Sequence, residues 1–236
     1  ERKRRGRREM VSSRANDDTW LIIPLFNEGS VVRAVIEDAG ASFSNIVCVD
    51  DGSSDDSVQE ALAGGAVVLR HPINLGQGAA LQTGIEFARV QPEAEYFVTF
   101  DSDGQHMVQD ALAMVARLRT EPYDVIVGSR FLDDRTQAGR LKRMVLRLAV
   151  MFERLSTGVK LTDAHNGLRA FNRRAANAFD IQQNRMAHAS EIVAQIGHHH
   201  LRYAEQPVHI LYTDYSRSKG QSLWNSVNIL SELFIK

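Results

Sequence analysis

Short apolar runs alternate with stretches of helical spacing through the first half of the chain. Trp20-Leu21-Ile22-Ile23-Pro24-Leu25 reads as a buried strand with Pro24 at its end, and a helix follows from about Ser30 to Ala39. Ile46-Val47-Cys48-Val49 is a second buried run, stopped by Asp50-Asp51-Gly52-Ser53-Ser54-Asp55-Asp56-Ser57 before another helix. Ala66 to Leu69 gives a short third strand. Asn74-Leu75-Gly76-Gln77-Gly78 then opens a helix with apolar positions at Leu81, Ile85 and Ala88. Tyr96 to Phe100 is the fourth strand, a helix is expected near Ala111 to Leu118, and Val125-Ile126-Val127 is the fifth strand, ending at Gly128-Ser129-Arg130. Strands that are apolar throughout and alternate with helices predict an α/β fold: a mostly parallel central sheet with helices on both faces.

The second half is less regular. Leu141 to Leu155 has helical apolar spacing interspersed with Arg140, Lys142, Arg143, Arg147 and Arg154. Such a basic amphipathic helix either lies on a membrane surface or packs on the core with Arg outward. Asp163 precedes a Gly-containing turn and a short strand. His188 to His199 reads as a helix and Leu201 to Val208 as a strand. The His198-His199-His200 triplet reads as a surface feature at a helix end, because adjacent residues do not share a helix face. Tyr215 to Ser222 is a polar loop carrying Arg217 and Lys219. Leu223 to Lys236 repeats helical spacing and forms a separate amphipathic segment.

Composition narrows the class without naming a partner. The chain has 236 residues, 44% hydrophobic and 24% charged, with a formal net charge of −1. That describes one soluble globular domain, expected over residues 19–222 behind a basic tail at 1–18. Residues 1–9 hold six basic and two acidic residues. They read as a solvated tail or as an attraction to an anionic membrane surface. No aromatic-rich or recognition-helix pattern follows them, so nucleic acid is not an expected partner. The single cysteine, Cys48, sits in an apolar run; a buried thiol and a reducing compartment fit it, and a disulfide framework is excluded. No run approaches the ~18 apolar residues of a bilayer span.

The chemistry gathers where apolar runs end. Phe97-Val98-Thr99-Phe100 stops at Asp101-Ser102-Asp103-Gly104-Gln105-His106. In extended backbone, carboxylates at i and i+2 share a side and repel, and a hard divalent cation relieves them. Gln105 offers a further oxygen. The other reading is a turn, since Asp-Ser-Asp-Gly is good turn chemistry. Polar clusters after strands one, two, four and five converge on one edge of a parallel sheet, which is where ligands bind in such folds. A Rossmann dinucleotide fingerprint and a Walker A loop are both missing; the first turn is Pro-Leu-Phe-Asn-Glu.

Taken in order, several motifs resemble those of family 2 glycosyltransferases of the GT-A fold, closest to the dolichol- or polyprenyl-phosphate mannosyl/glucosyltransferase branch. They are Ile22 to Glu28, Val49 to Asp55, Asn74 to Gly78, Asp101 to His106, Gly128-Ser129-Arg130, Asp163 to Phe171 and Arg217 to Ser222. The resemblance implies a nucleotide-diphosphate sugar donor held by Pro24, Leu25, Phe26, Glu28, Asp51, Gly78, Asp101, Ser102 and Asp103. Pro24, Phe26 and Glu28 would line the base and ribose, and Asp51 would hold the base. It implies Mg²⁺ or Mn²⁺ on Asp101, Asp103 and Gln105. It places a polyprenyl-phosphate acceptor against Arg130, Arg143 and Lys219, with Arg217 near the reacting atoms and Asp163 available as a base. It further implies an inverting reaction at the inner face of the cell membrane, by a peripherally attached enzyme. Two departures stand out: Gln77 where the family often has Lys, and His165-Asn166 before Gly167-Leu168-Arg169.

Three rivals remain open. A GT-A enzyme acting on a saccharide hydroxyl would rely on Asp163 as general base. A sugar-1-phosphate nucleotidyltransferase would want a Gly-rich, basic first turn. A non-catalytic nucleotide-sugar-binding protein would need no acceptor site at all.

Overall fold

In a computed structural model, residues 16–132, 158–184 and 187–211 are described. The element order is β1 (Thr19–Leu25), α1 (Val32–Gly40), β2 (Asn45–Asp50), α2 (Ser57–Ala63), β3 (Val67–Arg70), α3 (Gln77–Arg89), β4 (Tyr96–Thr99), α4 (Val108–Thr120), β5 (Val125–Ser129), β6 (Arg169–Asn172), α5 (Arg173–Ala178), α6 (Ala187–His198) and β7 (Tyr203–Pro207). The expected helix at 141–155, the tail at 1–9, the loop at 215–222 and the segment at 223–236 lie outside the described residues.

The strands form one seven-stranded sheet in the order β3-β2-β1-β4-β6-β5-β7. β1 pairs in parallel with β2 and β4, β2 with β3, and β5 with β7. β6 alone runs against its neighbours, wedged between β4 and β5. The apolar strands are buried on both faces because helices cover both. Leu21, Ile23 and Leu25 of β1 point to a cluster with Ile36 of α1, Ala61 of α2 and Met114 of α4. Ile22 points to the opposite cluster with Leu81 and Ile85 of α3, Ala175 of α5 and Ile192 and Val193 of α6. This is the period-2 alternation of a strand turned into a three-layer sandwich. Each such aliphatic side chain adds about 1.5–3 kcal/mol of burial.

The expected strands appear, with the third shifted by one residue to end at Arg70. Two features depart from the pattern read in the sequence. β6 is antiparallel, and α5 follows it directly, started by Asn172, whose side chain accepts from the Ala175 N–H. Cys48 is fully buried in β2, and burial pushes its thiol up to about 12. His198, His199 and His200 are exposed.

Candidate functional site

Parallel strands β1, β2 and β4 deliver their carboxyl ends to one edge of the sheet, and a cleft of about 490 Å³ opens there. Its walls are Pro24, Leu25, Phe26 and Glu28 after β1, Asp51 after β2, Asn74, Gly76, Gln77 and Ala80 at the start of α3, and Asp101, Ser102 and Asp103 after β4.

The first wall is built by stitching two loops together. Asn27 takes a left-handed conformation (φ 53°), and its N–H donates to Ser53 Oγ at 2.9 Å. The Glu28 N–H donates to Ser57 Oγ at 2.8 Å and the Gly29 N–H to Asp55 at 3.1 Å, while the Ser54 N–H donates to Asn27 Oδ1 at 2.9 Å. The serines and aspartates after β2, which read as a polar cluster in the sequence, thus fix the chain that carries Phe26 and Glu28.

Asp51 does a similar service for the next wall. It is 2% exposed, and it accepts from the Leu75 N–H at 2.8 Å, the Gly76 N–H at 2.7 Å and the His71 ring at 2.8 Å. His71 is braced in turn by Thr83 Oγ1 at 2.9 Å. Asp51 therefore shapes the turn at Asn74-Leu75-Gly76 while still bordering the cleft. Gly78 does not border it. A Cβ there would lie 2.0 Å from the Gln183 carbonyl oxygen, so its bareness lets the segment before α6 pack behind α3. That segment is held by Glu191, which accepts from the Gln182 and Gln183 N–H groups.

The third wall carries the charge. Asp101 Oδ2 meets His106 Nε2 at 2.8 Å, and Asp101 Oδ1 lies 3.4 Å from the Gln77 amide. Burial works to raise the Asp101 carboxyl, but His106, Arg169 and His188 outweigh it and hold Asp101 below the usual carboxylate range. Asp103 is pushed the other way, by burial first and then by the charge of Asp101, with Glu28 adding to it. The Gln105 N–H donates to Asp103 Oδ1 at 3.0 Å. Gln105 is itself buried and is absent from the cleft wall.

Beyond the cleft, β5 ends at a second constellation. Arg130 grips Asp163 with a two-toothed fork, Nε to Oδ2 at 2.7 Å and Nη2 to Oδ1 at 2.8 Å, and its own N–H adds a third bond at 3.0 Å. Asp163 is buried, and Arg130 is 38% exposed on its side chain. Glu205 of β7 fixes the backbone of this loop by accepting from Thr162 and Asp163 N–H groups at 2.7 and 3.2 Å. The loop then runs back to the carboxylate pair: a Cβ on Gly167 would lie 2.2 Å from Asp101 Oδ2. Arg143, Arg217 and Lys219 lie outside the described residues. Sequence reasoning gave no site role to His71, Asn74, Gly76, Ala80 or His106. Asn74, Gly76 and His106 did stand within quoted motifs, whereas nothing local marked His71 or Ala80.

Among the described residues no three His, Cys, Asp or Glu side chains gather as a ready-made metal cage. What the cleft offers is a hard-oxygen pair, Asp101 and Asp103, in which burial and the charge of Asp101 push the Asp103 carboxyl up. That donor set fits Mg²⁺ or Mn²⁺ completed by ligand oxygens, and it does not suit a structural zinc.

A sheet of this topology, with acidic strand ends bordering a nucleotide-sized cleft, is the GT-A fold. It is shared with glucosyl-3-phosphoglycerate synthase from Mycobacterium tuberculosis, solved in complex with Mg²⁺ and uridine-diphosphate, at a TM-score of 0.66 and 19% identity, covering 86% of this chain and 73% of that one. Residues 20–179 match the model of glycosyl transferase family 2, and the chain belongs to that family and is a glycosyltransferase. An uncharacterized protein of Methanocaldococcus jannaschii is 33% identical over 229 residues, 93% of this chain and 92% of that one. A UDP-N-acetylglucosamine–dolichyl-phosphate N-acetylglucosaminyltransferase of Methanococcus voltae is 27% identical over 238 residues, 92% of this chain and 94% of that one.

Proposed function

We propose that the chain transfers a sugar, with inversion, from a nucleotide-diphosphate donor to a polyprenyl or dolichyl phosphate. The observation that carries the donor half is an acidic wall, Glu28, Asp101 and Asp103, with the Asp103 carboxyl pushed up, in a cleft of nucleotide size that the start of α3 also borders. A helix N-terminus favours phosphate through its free N–H groups and its dipole. The carboxylates would repel the same diphosphate unless a cation lay between them. Asp101 and Asp103 would hold that cation, which supplies charge neutralisation of the diphosphate leaving group. Pro24, Phe26 and Glu28 border the part of the cleft suited to base and ribose, and Asp51 sets the shape of the adjoining turn.

The acceptor half rests on Arg130 and on the name of the Methanococcus voltae relative. A phosphate monoester is already an oxygen nucleophile at pH 7 and needs no base. Its oxygen bonds to the anomeric carbon as the bond to the diphosphate oxygen breaks, and the electron pair leaves with the nucleoside diphosphate. What the phosphate needs is a cation to bring it near another anion. Arg130, half-buried and bound to Asp163, can exchange that carboxylate for a phosphate, one oxyanion for another. A general-base role for Asp163 asks for more, because both of its oxygens are engaged by the fork. Attachment at the inner membrane surface is part of this proposal, since the acceptor is a membrane lipid. Among the described residues no helix is long and apolar enough to cross a membrane.

The test is transfer from UDP-, GDP- and dTDP-sugars to dolichyl phosphate and to simple saccharides, in wild type, Arg130→Ala and Asp163→Asn. With a phosphate acceptor, Arg130→Ala lowers transfer roughly a hundredfold and Asp163→Asn lowers it less. Asp163→Asn abolishing transfer while donor binding persists identifies a hydroxyl acceptor instead. A β-linked product from an α-linked donor, read by NMR, confirms inversion.

A further inference from the structure

Asp101 differs from Asp103 in how its carboxylate is held, and the group that holds it has no assigned part in the reaction. His106 is almost sealed from solvent, its side chain 3% exposed. It packs edge-on against Phe100, with ring centroids 5.5 Å apart. Its backbone forms an isolated bridge with Ile210, and the neighbouring Gln105 carbonyl accepts from the Leu211 N–H at 2.9 Å. The ring is therefore fixed from two sides. Its Nε2 reaches Asp101 Oδ2 at 2.8 Å, and its Nδ1 is buried with no hydrogen-bond partner.

Those contacts decide the proton placement. A neutral ring protonated on Nδ1 would bury an unpaired donor and aim a lone pair at a carboxylate oxygen. With the proton on Nε2, His106 donates to Asp101 and only an acceptor is left bare, the cheaper of the two arrangements. Asp101 is then committed on one side. Oδ2 is taken by His106, and the backbone of Gly167 closes on the face of the same carboxylate. Oδ1 remains, on the side of Gln77 and the cleft.

We propose that His106 is a positioning residue: it fixes the rotamer of Asp101 so that one oxygen, Oδ1, is presented to the divalent cation and diphosphate of the donor. This rests on the reading of the cleft as a metal-dependent donor site. Metal-ligating carboxylates are ordinarily steadied by such outer hydrogen bonds, whose loss costs about 10–100-fold in metal affinity or activity. Among the described residues Asp103 has no counterpart side-chain bond; its steadying bond comes from the Gln105 backbone.

The experiment is a Mn²⁺ titration followed by EPR, with UDP, GDP and dTDP tested in turn, on wild type, His106→Phe, His106→Gln and Asp103→Ala. His106→Phe keeps a flat ring against Phe100 and removes the donor. His106→Gln supplies an N–H at similar reach. The expected result is a Mn²⁺ affinity in the nucleotide complex at least tenfold weaker in His106→Phe, recovered for the most part in His106→Gln, with ligand-free melting temperatures of the two variants alike. Wild-type affinity in His106→Phe overturns the inference, as does equal weakening in both variants in step with equal loss of melting temperature, which marks a packing role. If His106→Phe does not fold, His106→Gln alone decides: affinity within about threefold of wild type supports the role, and a larger loss overturns it. Wild type showing no nucleotide-dependent Mn²⁺ binding, like Asp103→Ala, removes the donor-site reading and this inference together; wild type binding normally separates the two.

Discussion

The cleft after β4 and the clasp after β5 treat charge in opposite ways. At the clasp each carboxylate is answered: Asp163 by the Arg130 fork, and Glu205 by the Thr162 and Asp163 N–H groups and the Thr162 hydroxyl. At the cleft Asp101 is held by His106, but Asp103 is pushed up by burial and by the charge of Asp101. Repulsion kept in a folded protein is a cost, tolerated where a ligand removes it. Satisfied pairs cost nothing at rest but must be opened before they can act. On the proposed function, the cleft waits for its ligand and the β5 side acts by exchange.

The comparison breaks most completely at Asp103. Asp103→Ala, or removal of divalent metal with EDTA, is expected to lower transfer roughly a thousandfold in a radiolabelled-sugar assay. Thermal stability of the ligand-free protein should not fall, because a repulsive contact has gone. A substantially less stable variant would deny that the acidic wall is strained.

The next largest effect is expected on stability, at a third acidic site built like the clasp. Asp124, just before β5, is 1% exposed and accepts from the Arg202 N–H at 2.8 Å, Asn172 Nδ2 at 3.0 Å and Arg174 at 2.8 Å. Burial works to raise this carboxyl, yet those donors hold it below the usual range. A depressed carboxyl contributes stability that is present above its unfolded-state pKa near 3.9 and is lost as pH falls through the folded value. Asp124→Asn should cost about 3 kcal/mol at pH 7. It should also flatten the fall of melting temperature below about pH 4.

Gly78→Ala sharpens the division between cleft wall and backing. The added methyl meets the Gln183 carbonyl rather than the ligand. A loss of about 1–3 kcal/mol in denaturant unfolding is expected. A variant as stable as wild type would show that the segment before α6 yields freely.

The smallest expected effect is at His165, between the two regions. Burial, then Arg169, and further Arg130 and His188 push its imidazole down, against the pull of Asp163. The unfolded chain therefore takes up a proton near pH 6.5 before the folded one does, and stability declines as pH falls below that value. His165→Asn should remove a small part of the slope of melting temperature between pH 6.5 and 5; an unchanged slope would mean the ring is not held neutral.

The edge of the sheet that bears the cleft was largely legible because it is local: apolar runs stop at polar clusters, and parallel strands bring their ends together. Asp101 and Asp103 could be picked out from their position and spacing, whereas Glu28 came only with the family resemblance. The partners of Asp51 could not, since Leu75 and Gly76 offer backbone N–H groups that no side chain announces. The Arg130–Asp163 clasp joins residues 33 apart in sequence. Nor does the short run Arg169–Asn172 carry any sign that it pairs antiparallel between β4 and β5, because pairing direction depends on the path the chain takes to reach the sheet.

That inserted strand also sets an order of assembly. While the chain is being synthesised, β1 to β4 can associate as soon as they emerge, but β5 has no neighbour among them. Among the described strands it joins the sheet through β6, more than forty residues later than β5 begins, and β7 joins through β5. Until then the edge of β4 is open, an invitation to pair with another chain. The strand that completes the enzyme's sheet is thus also the late, long-range contact expected to set the pace of folding.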